Sequence, residues 1–317
     1  MQDSSGPLVG PGQGIGSAEL AALGASMVWA VSSLLFAFAS RRLGPFRTNG
    51  LRILLASLVL VAAHAAWHRT PLPAGLTGRH LALIVSSGLV GLALGDFFYF
   101  HSISVLGARV GSLLMATAPM QAAALGFVAL DERAGPRALA GIVAVSLGVV
   151  VVVLDRRAVG ALPAEPGQRR LAVLSGLLGG LGQAGGLVLA RAAFRLETTT
   201  GGRPDPLSVT MLRMLAALAF VLPWSLVAMR RRRAPTGPRA QAVQALGFAV
   251  LLGPTTGVFL SMVAVVDQEA GVAAALLALA PVLVIPIAWL AHGERPGLAG
   301  FVGTFVATAG TVLLVTR

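Results

Sequence analysis

Two segments of the chain share one residue pattern, and this internal repeat restricts the possible folds more than any other feature. A shift of 162 positions superimposes the two copies, and both lie in strongly apolar surroundings. A duplicated apolar segment of this kind indicates a membrane-embedded bundle built from two related halves. The first copy contains Pro119, Glu132, Arg133, Gly141 and Gly148, and the second contains Pro281, Glu294, Arg295, Gly303 and Gly310.

The composition supports a membrane protein and argues against a soluble one that binds nucleic acid. Hydrophobic residues make up 56% of the chain and charged residues 11%, with a mean hydropathy of +0.83, which is unusual for a soluble domain. The arginines gather at the ends of apolar runs, so we assign the net charge of +12 to membrane topology and to contact with anionic lipid headgroups of the bilayer. The chain has no cysteine and its histidines lack a metal-ligand spacing, so no cofactor or metal is predicted.

Ten apolar runs are long enough to cross a hydrocarbon core of about 30 Å. Because backbone groups in lipid must be satisfied within the segment, the predicted fold is an all-α integral membrane protein with ten transmembrane helices. A polar linker, 155–170, separates a five-helix repeat at 18–154 from a second one at 171–317, and residues 1–17 are predicted to form a flexible tail. The spans are predicted near 18–40, 47–67, 80–104, 109–130 and 137–154, and near 171–193, 207–229, 240–266, 270–291 and 297–316.

The odd number of helices in each half predicts that the two halves are inverted. The second half then enters the membrane from the opposite side, and a pseudo-two-fold axis in the membrane plane relates the halves. The loops on one side hold 14 arginines, whereas the side with both termini holds 8. The positive-inside rule therefore predicts that both termini lie outside the cell.

The doubled pattern resembles the EamA family of the drug/metabolite transporter superfamily. The spacing that carries the resemblance is a proline followed 13 residues later by glutamate, then glycines 9 and 16 residues further on. The second copy is the closer match, because Asp131 of the first copy replaces the glycine that precedes the glutamate. The resemblance implies a five-plus-five inverted-repeat fold with a central cavity, alternating access and transport of small metabolites, often the export of amino acids or related compounds. It also implies cytoplasmic termini, so the two arguments about orientation disagree.

Asp96 is the acidic residue that lies well inside a predicted span, where an unpaired carboxylate is costly. Its counterpart in the second half is Val258, so the symmetric scaffold does not require it. Arg52, in the antiparallel second span, lies in the same half of the membrane and within reach of Asp96. Two interpretations stay open: a structural ion pair, or a carboxylate that couples protons or contacts a substrate amine.

Four further polar or aromatic residues are candidates for the substrate site. Arg213 is the counterpart of Arg52 and is expected to pair with Asp267 or Glu269 or to extend to the interface, although either arginine could bind a substrate carboxylate. The other candidates lie at mid-membrane positions and are predicted to line a cavity: Gln121, Gln183 and Trp29.

His101 is a weaker candidate than these. It follows Asp96 by five residues, about 140° around a helix, so a proton relay between the two is not favoured.

The repeated prolines and acids are interpreted mainly as structural. Pro119 and Pro281 fall in the middle of predicted helices, where proline removes a backbone hydrogen bond and either kinks the helix or exposes carbonyls to a cavity. Glu132 and Glu294 follow the fourth and ninth spans, where capping of the next helix or pairing across a short turn is favoured over substrate or proton handling.

The repeated glycines are also assigned a structural role. Gly141 and Gly148 are seven residues apart, as are Gly303 and Gly310, so each pair marks one helix face suited to close packing in lipid.

The leading functional hypothesis is a secondary transporter of amino acids or related metabolites, driven by the substrate gradient or by protons. The alternatives are an exporter of multiple drugs or cationic compounds and a non-transporting membrane sensor. A membrane enzyme is disfavoured, because no nucleophile, base and electrophile converge at one depth. The use of arginine without lysine suggests GC-rich coding and hence a bacterial inner membrane. The substrate, the direction of transport and the oligomeric state are left open.

Overall fold

A computed structural model of the chain describes residues 16–43, 45–153, 166–231, 240–283 and 297–316. Within these ranges every regular element is a helix. The α-helices are α1 Ser17–Leu43, α2 Pro45–His68, α3 Gly78–Ser87, α4 Asp96–Met115, α5 Ala118–Leu130, α6 Pro136–Val153, α7 Pro166–Phe194, α8 Pro206–Arg231, α9 Ala240–Val250, α10 Val258–Asp267, α11 Ala270–Leu277 and α12 Leu298–Val315. Two π-helical segments complete the series, π1 Gly88–Gly95 and π2 Leu251–Gly257.

The predicted spans are present, with shifts of a few residues at their ends. In the described ranges nine stretches are long and apolar enough to cross a membrane. The ninth predicted span appears as a shorter apolar helix, Ala270–Leu283, because the rest of that span lies outside the described residues. The sixth span, α7, begins at Pro166, five residues earlier than predicted, since proline is well suited to the first turn of a helix. The chain is therefore an all-α, multi-pass membrane protein.

The third and fourth spans are joined by a reversal inside α4. Residues eight apart are separated by about 12 Å along a straight helix. A Cβ atom at Gly111, however, would lie only 3.4 Å from the Cα atom of Ile103. The backbone therefore turns back between these two residues, where the sequence placed the boundary between the two spans.

Corresponding helices of the two halves pack antiparallel, which is the arrangement expected of inverted repeats. The fifth and tenth spans, α6 and α12, show this directly: Gly148 lies against Ala307, whereas Gly141 lies against Leu314. The second and seventh spans pair in the same way through α2 and α8, and the fourth and ninth through α5 and α11. The first span packs on the eighth, and its counterpart, the sixth, packs on the third. An approximate two-fold axis thus relates the two halves.

The four glycines of the repeat lie where α6 and α12 approach most closely. A Cβ atom at Gly148 would lie 2.4 Å from the backbone nitrogen of Ala307, and one at Gly303 would lie 2.6 Å from that of Val152. Gly141 and Gly310 are similarly close to the opposite helix. The absence of side chains at these positions lets the two backbones touch.

Candidate functional site: a central cavity between the halves

Four spans are interrupted, at positions that the repeat relates to one another. The third span contains π1 and the eighth contains π2. The fourth span is broken at 116–117, between α4 and α5, and the ninth is broken at 278–279, after α11. π-helical turns are rare and concentrate at functional sites, and broken transmembrane helices commonly border binding sites. All four interruptions border a single cavity.

The prolines of the repeat lie just after the breaks and not within continuous helices, which corrects the sequence-based expectation. Pro119 occupies the first turn of α5, where its missing N–H would have had no helical partner in any case. It is buried and is not among the residues that line the cavity. Pro281 follows the corresponding break in the ninth span and does line the cavity.

The cavity has a volume of about 390 Å³ and is lined by residues of both halves. In the first span its wall is formed by the later residues, from Trp29 to Phe36. The earlier residues of this span are packed against the second half, where Ser26 Oγ donates a hydrogen bond of 2.6 Å to the carbonyl oxygen of Leu276. The cavity therefore extends from the middle of the membrane towards the face opposite the termini. On the face with the termini the described residues of the two halves pack against each other, and we call this the sealed face.

Asp96 connects three spans at the cavity wall. It is the first residue after π1, and its Oδ2 accepts a hydrogen bond of 2.8 Å from Arg52 Nη2. Its Oδ1 accepts a second bond of 3.1 Å from Gln183 Nε2 in the sixth span. The side chains of Arg52 and Asp96 are 21% and 17% exposed, so the pair is in contact with the cavity. The ion pair inferred from the antiparallel second and third spans is thus present.

Arg213 lies deeper in the same cavity and lacks a comparable partner. It is 1% exposed, and its Nη1 donates to the thioether sulfur of Met262, which is a weak acceptor. Its Nε has no hydrogen-bond partner, and no carboxylate in the described part of the chain forms an ion pair with it. Asp267, a predicted partner, instead pairs with Arg203 at 2.6 Å on the exposed end of α10.

The expectation that Arg213 reaches the interface is also wrong. The residue lies seven positions into α8, about 10 Å from the end of the helix. The glycines of π1 bring that segment against it, because a Cβ atom at Gly88 would overlap the backbone of Arg213 and one at Gly91 would touch its Nη2. The third span therefore covers one side of the guanidinium group, which also borders the cavity.

The remaining candidates divide into two groups. Trp29 and Gln183 line the cavity, and Trp29 Nε1 donates a hydrogen bond of 3.2 Å to the carbonyl oxygen of Gly253 in π2. Gln121 and His101 are not among the lining residues. The cavity-lining interpretation of Gln121 is corrected, because its side chain turns towards α7 and donates to the carbonyl oxygen of Leu177 at 3.4 Å.

Tyr99 is a cavity residue that the sequence analysis missed. It lies one helical turn after Asp96, on the same face of α4, and it is the only tyrosine in the chain. The spacing of three residues from an intramembrane carboxylate was the signal that would have identified it.

Glu132 forms a second polar cluster, on the sealed face. It is 7% exposed and accepts hydrogen bonds from Arg191 Nε at 3.1 Å and from Arg195 Nη2 at 2.8 Å. It also accepts a bond of 2.8 Å from the backbone nitrogen of Ala270, the first residue of α11. Glu132 therefore caps a helix of the other half and not the helix that follows it, which corrects the prediction. Its counterpart Glu294 lies outside the described residues.

A left-handed turn directs Glu132 towards the other half. Asp131 ends α5 with φ 51° and ψ 34°, and the backbone nitrogens of Asp131 and Glu132 both donate to the carbonyl oxygen of Gly126. This conformation favours glycine. The second copy has Gly293 at the corresponding place in the sequence, which lies outside the described residues.

Comparison with known proteins places the chain within one family. The profile of the EamA-like transporter family matches residues 16–154 and 170–316. A solved structure titled "Crystal structure of protein" superimposes with a TM-score of 0.73 at 18% sequence identity, over 94% of this chain and 96% of that one, and supports the fold. A search of curated proteins gave no match.

Proposed function

Because the chain belongs to the EamA-like transporter family, we propose that it is a secondary transporter whose substrates are amino acids or related small metabolites. The supporting observation is the cavity between the inverted halves, which holds ionised side chains at mid-membrane depth. Family membership favours transport over enzymatic activity. We expect the protein in the inner membrane of a bacterium, on the basis of its arginine-only basic composition.

The cavity suits a small molecule with both polar and apolar parts. Its volume of about 390 Å³ lies within the range of about 300–1,000 Å³ found for small-molecule sites. Trp29, Phe36 and Leu92 supply apolar wall, and the charged groups are confined to a few positions. An amino acid with an apolar side chain has the same combination of features.

Alternating access would require the sealed face to open. The contacts that hold it include the Ser26–Leu276 hydrogen bond and the Glu132 cluster, and each joins one half to the other. The interrupted spans provide places where helix segments can move without breaking a continuous hydrogen-bond ladder. Energy would come from the substrate gradient, or from protons if Asp96 is protonated during the cycle.

The test is efflux from proteoliposomes loaded with labelled amino acids, nucleobases and cationic drugs, measured with and without a pH gradient. We expect a selective loss of amino acids that exceeds the loss from loaded liposomes without the protein. The rate of this loss should respond to the pH gradient if transport is coupled to protons. Loss of none of these compounds from folded, inserted protein would contradict the proposal. Loss of the cationic drugs alone would replace it with drug export.

A further inference from the structure

We infer that Arg213 is an anion-binding group at the base of the cavity and that the substrate presents a carboxylate to it. This inference deepens the proposed function and rests on it, because it names a chemical group that the transported molecule must carry. It depends on three observations: the unsatisfied donors of Arg213, the occupied state of its counterpart Arg52, and the charge that remains in the cavity.

The first observation is that Arg213 has more donors than acceptors. A guanidinium group carries five N–H donors, yet the described residues offer this one a thioether sulfur and leave its Nε without a partner. The residue is 1% exposed, so water does not replace the missing acceptors on most of its surface. A buried charge without a partner is unfavourable, and a bound carboxylate would supply a bidentate one.

The second observation is that the equivalent arginine of the other half is already paired. Arg52 and Arg213 occupy corresponding places in the repeat, and both line the cavity. Arg52 donates to Asp96 at 2.8 Å, whereas the position that corresponds to Asp96 in the second half is Val258. The scaffold therefore provides two arginines and one internal carboxylate, and Arg213 is the one left without an anion.

The third observation concerns the charge that a substrate meets. Among the described lining residues the ionised side chains are Arg52, Asp96 and Arg213. The first two neutralise each other, so the remaining charge is positive and lies in an apolar wall, where it acts strongly on a ligand. A cationic compound would be repelled, while a carboxylate, alone or within a zwitterion, would be attracted. The structure thus favours carboxylate substrates over the cationic-drug alternative.

A charge series built on one carbon skeleton tests the inference. We would use L-leucine, 4-methylpentanoate, which lacks the amine, and isoamylamine, which lacks the carboxylate, together with acetate and benzoate as smaller and aromatic carboxylates. The purified full chain in detergent is heated with each compound, and ligands that bind the folded state raise the unfolding temperature. We expect stabilisation by leucine and by at least one simple carboxylate, and none by isoamylamine.

Variants assign the effect to one residue. Arg213→Gln should weaken carboxylate binding at least about tenfold, the value of a lost charge-assisted contact. The same variant should unfold at a higher temperature than the unmodified protein without ligand, because an unpaired buried charge has been removed. Arg203→Gln, at an arginine that pairs with Asp267 on the surface, is the matched control and should change neither property.

Each result bears on the inference. Stabilisation by isoamylamine alone, by no carboxylate at all, or by carboxylates equally in Arg213→Gln would overturn it. A lower unfolding temperature of ligand-free Arg213→Gln would show that the residue is structural and would also overturn it. Proteoliposome assays separate the two proposals. Carboxylate binding without flux would contradict the transport function and leave the anion site. Flux of isoamylamine without carboxylate binding would leave a transport function and contradict the anion site.

Discussion

Asp96 is placed at the cavity by the π segment that precedes it and is held there by side chains from two other spans. Arg52 and Gln183 each donate to one of its oxygens, so both carboxylate oxygens accept a hydrogen bond. Protonation of Asp96 would remove the charge that balances Arg52 and would loosen the contact between the second, third and sixth spans. Asp96, which has no acidic counterpart in the other half, can therefore couple the charge of the cavity to the packing of the spans around it.

Asp96→Asn is expected to lower substrate flux in proteoliposomes at least about tenfold and to abolish its dependence on a pH gradient. The amide keeps the size of the side chain but loses a charge-assisted hydrogen bond of about 1.5–3 kcal/mol and leaves Arg52 unpaired. Glu197→Gln, at an exposed glutamate in the loop after α7, is the control and should transport normally. Unchanged flux and an unchanged pH response in Asp96→Asn would assign the ion pair a purely structural role.

The interrupted helices border the cavity at the points where their backbone geometry changes. Two π segments and two breaks occur at matching places in the halves, and each contributes residues to the cavity. By contrast, α6 and α12 are continuous and pack backbone to backbone through glycines. The molecule thus combines one continuous, closely packed helix pair with four spans whose backbone geometry changes beside the cavity.

Gly148→Ala should test the rigidity of the α6–α12 pair. The added Cβ would lie 2.4 Å from a backbone atom of Ala307, so the helices must separate, and we expect a loss of about 1–3 kcal/mol in the free energy of unfolding. Denaturation of the purified protein in detergent measures this.

Gly247→Ala in α9 is the matched control, because a Cβ there meets nothing within 4 Å. Alanine should be neutral or stabilising at that helical position. Equal stability of the two variants would show that the close contact is not rigid.

The sequence predicted elements better than it predicted their interruptions. Apolar runs of about 20 residues identify spans, and the antiparallel order of neighbouring spans was enough to bring Arg52 to Asp96. A π segment has the same apolar composition as an α-helix, so nothing in the residue pattern indicated that π1 would lie against Arg213. The direction of Gln121 depends on where α5 begins after the break at 116–117, which proline spacing alone does not determine.

At the scale of the whole molecule, the described residues of the two halves are packed together on the face that carries the termini. Glu132 forms two ion pairs on that face and links the fourth span to the sixth and the ninth. The cavity and its ionised groups lie beyond this layer. Opening of the face that carries the termini must break these bonds.

Glu132→Gln should shift the protein towards the state that is open at the termini. The weaker seal is expected to favour opening by about 1.5–3 kcal/mol, or roughly 10- to 150-fold in population. Since the chain has no cysteine, Ala22→Cys, at a fully buried position of the sealed layer, gives a single site whose labelling rate by a maleimide reports opening.

Asp131→Asn is the control for this measurement. Asp131 is the exposed neighbour of Glu132, and asparagine tolerates its left-handed backbone. Faster labelling in Glu132→Gln alone supports the role of the cluster. Equal rates in both variants would show that the seal does not depend on it.

The antiparallel pairing of corresponding helices also affects the balance between the two end states. If the halves were identical, exchanging their conformations would produce the opposite state at no cost in free energy, and each state would be populated equally. Any preference must therefore come from residues that differ between the halves, such as Asp96 opposite Val258. Because every 1.4 kcal/mol changes a population tenfold, a few unmatched side chains are enough to set the resting state of the whole protein.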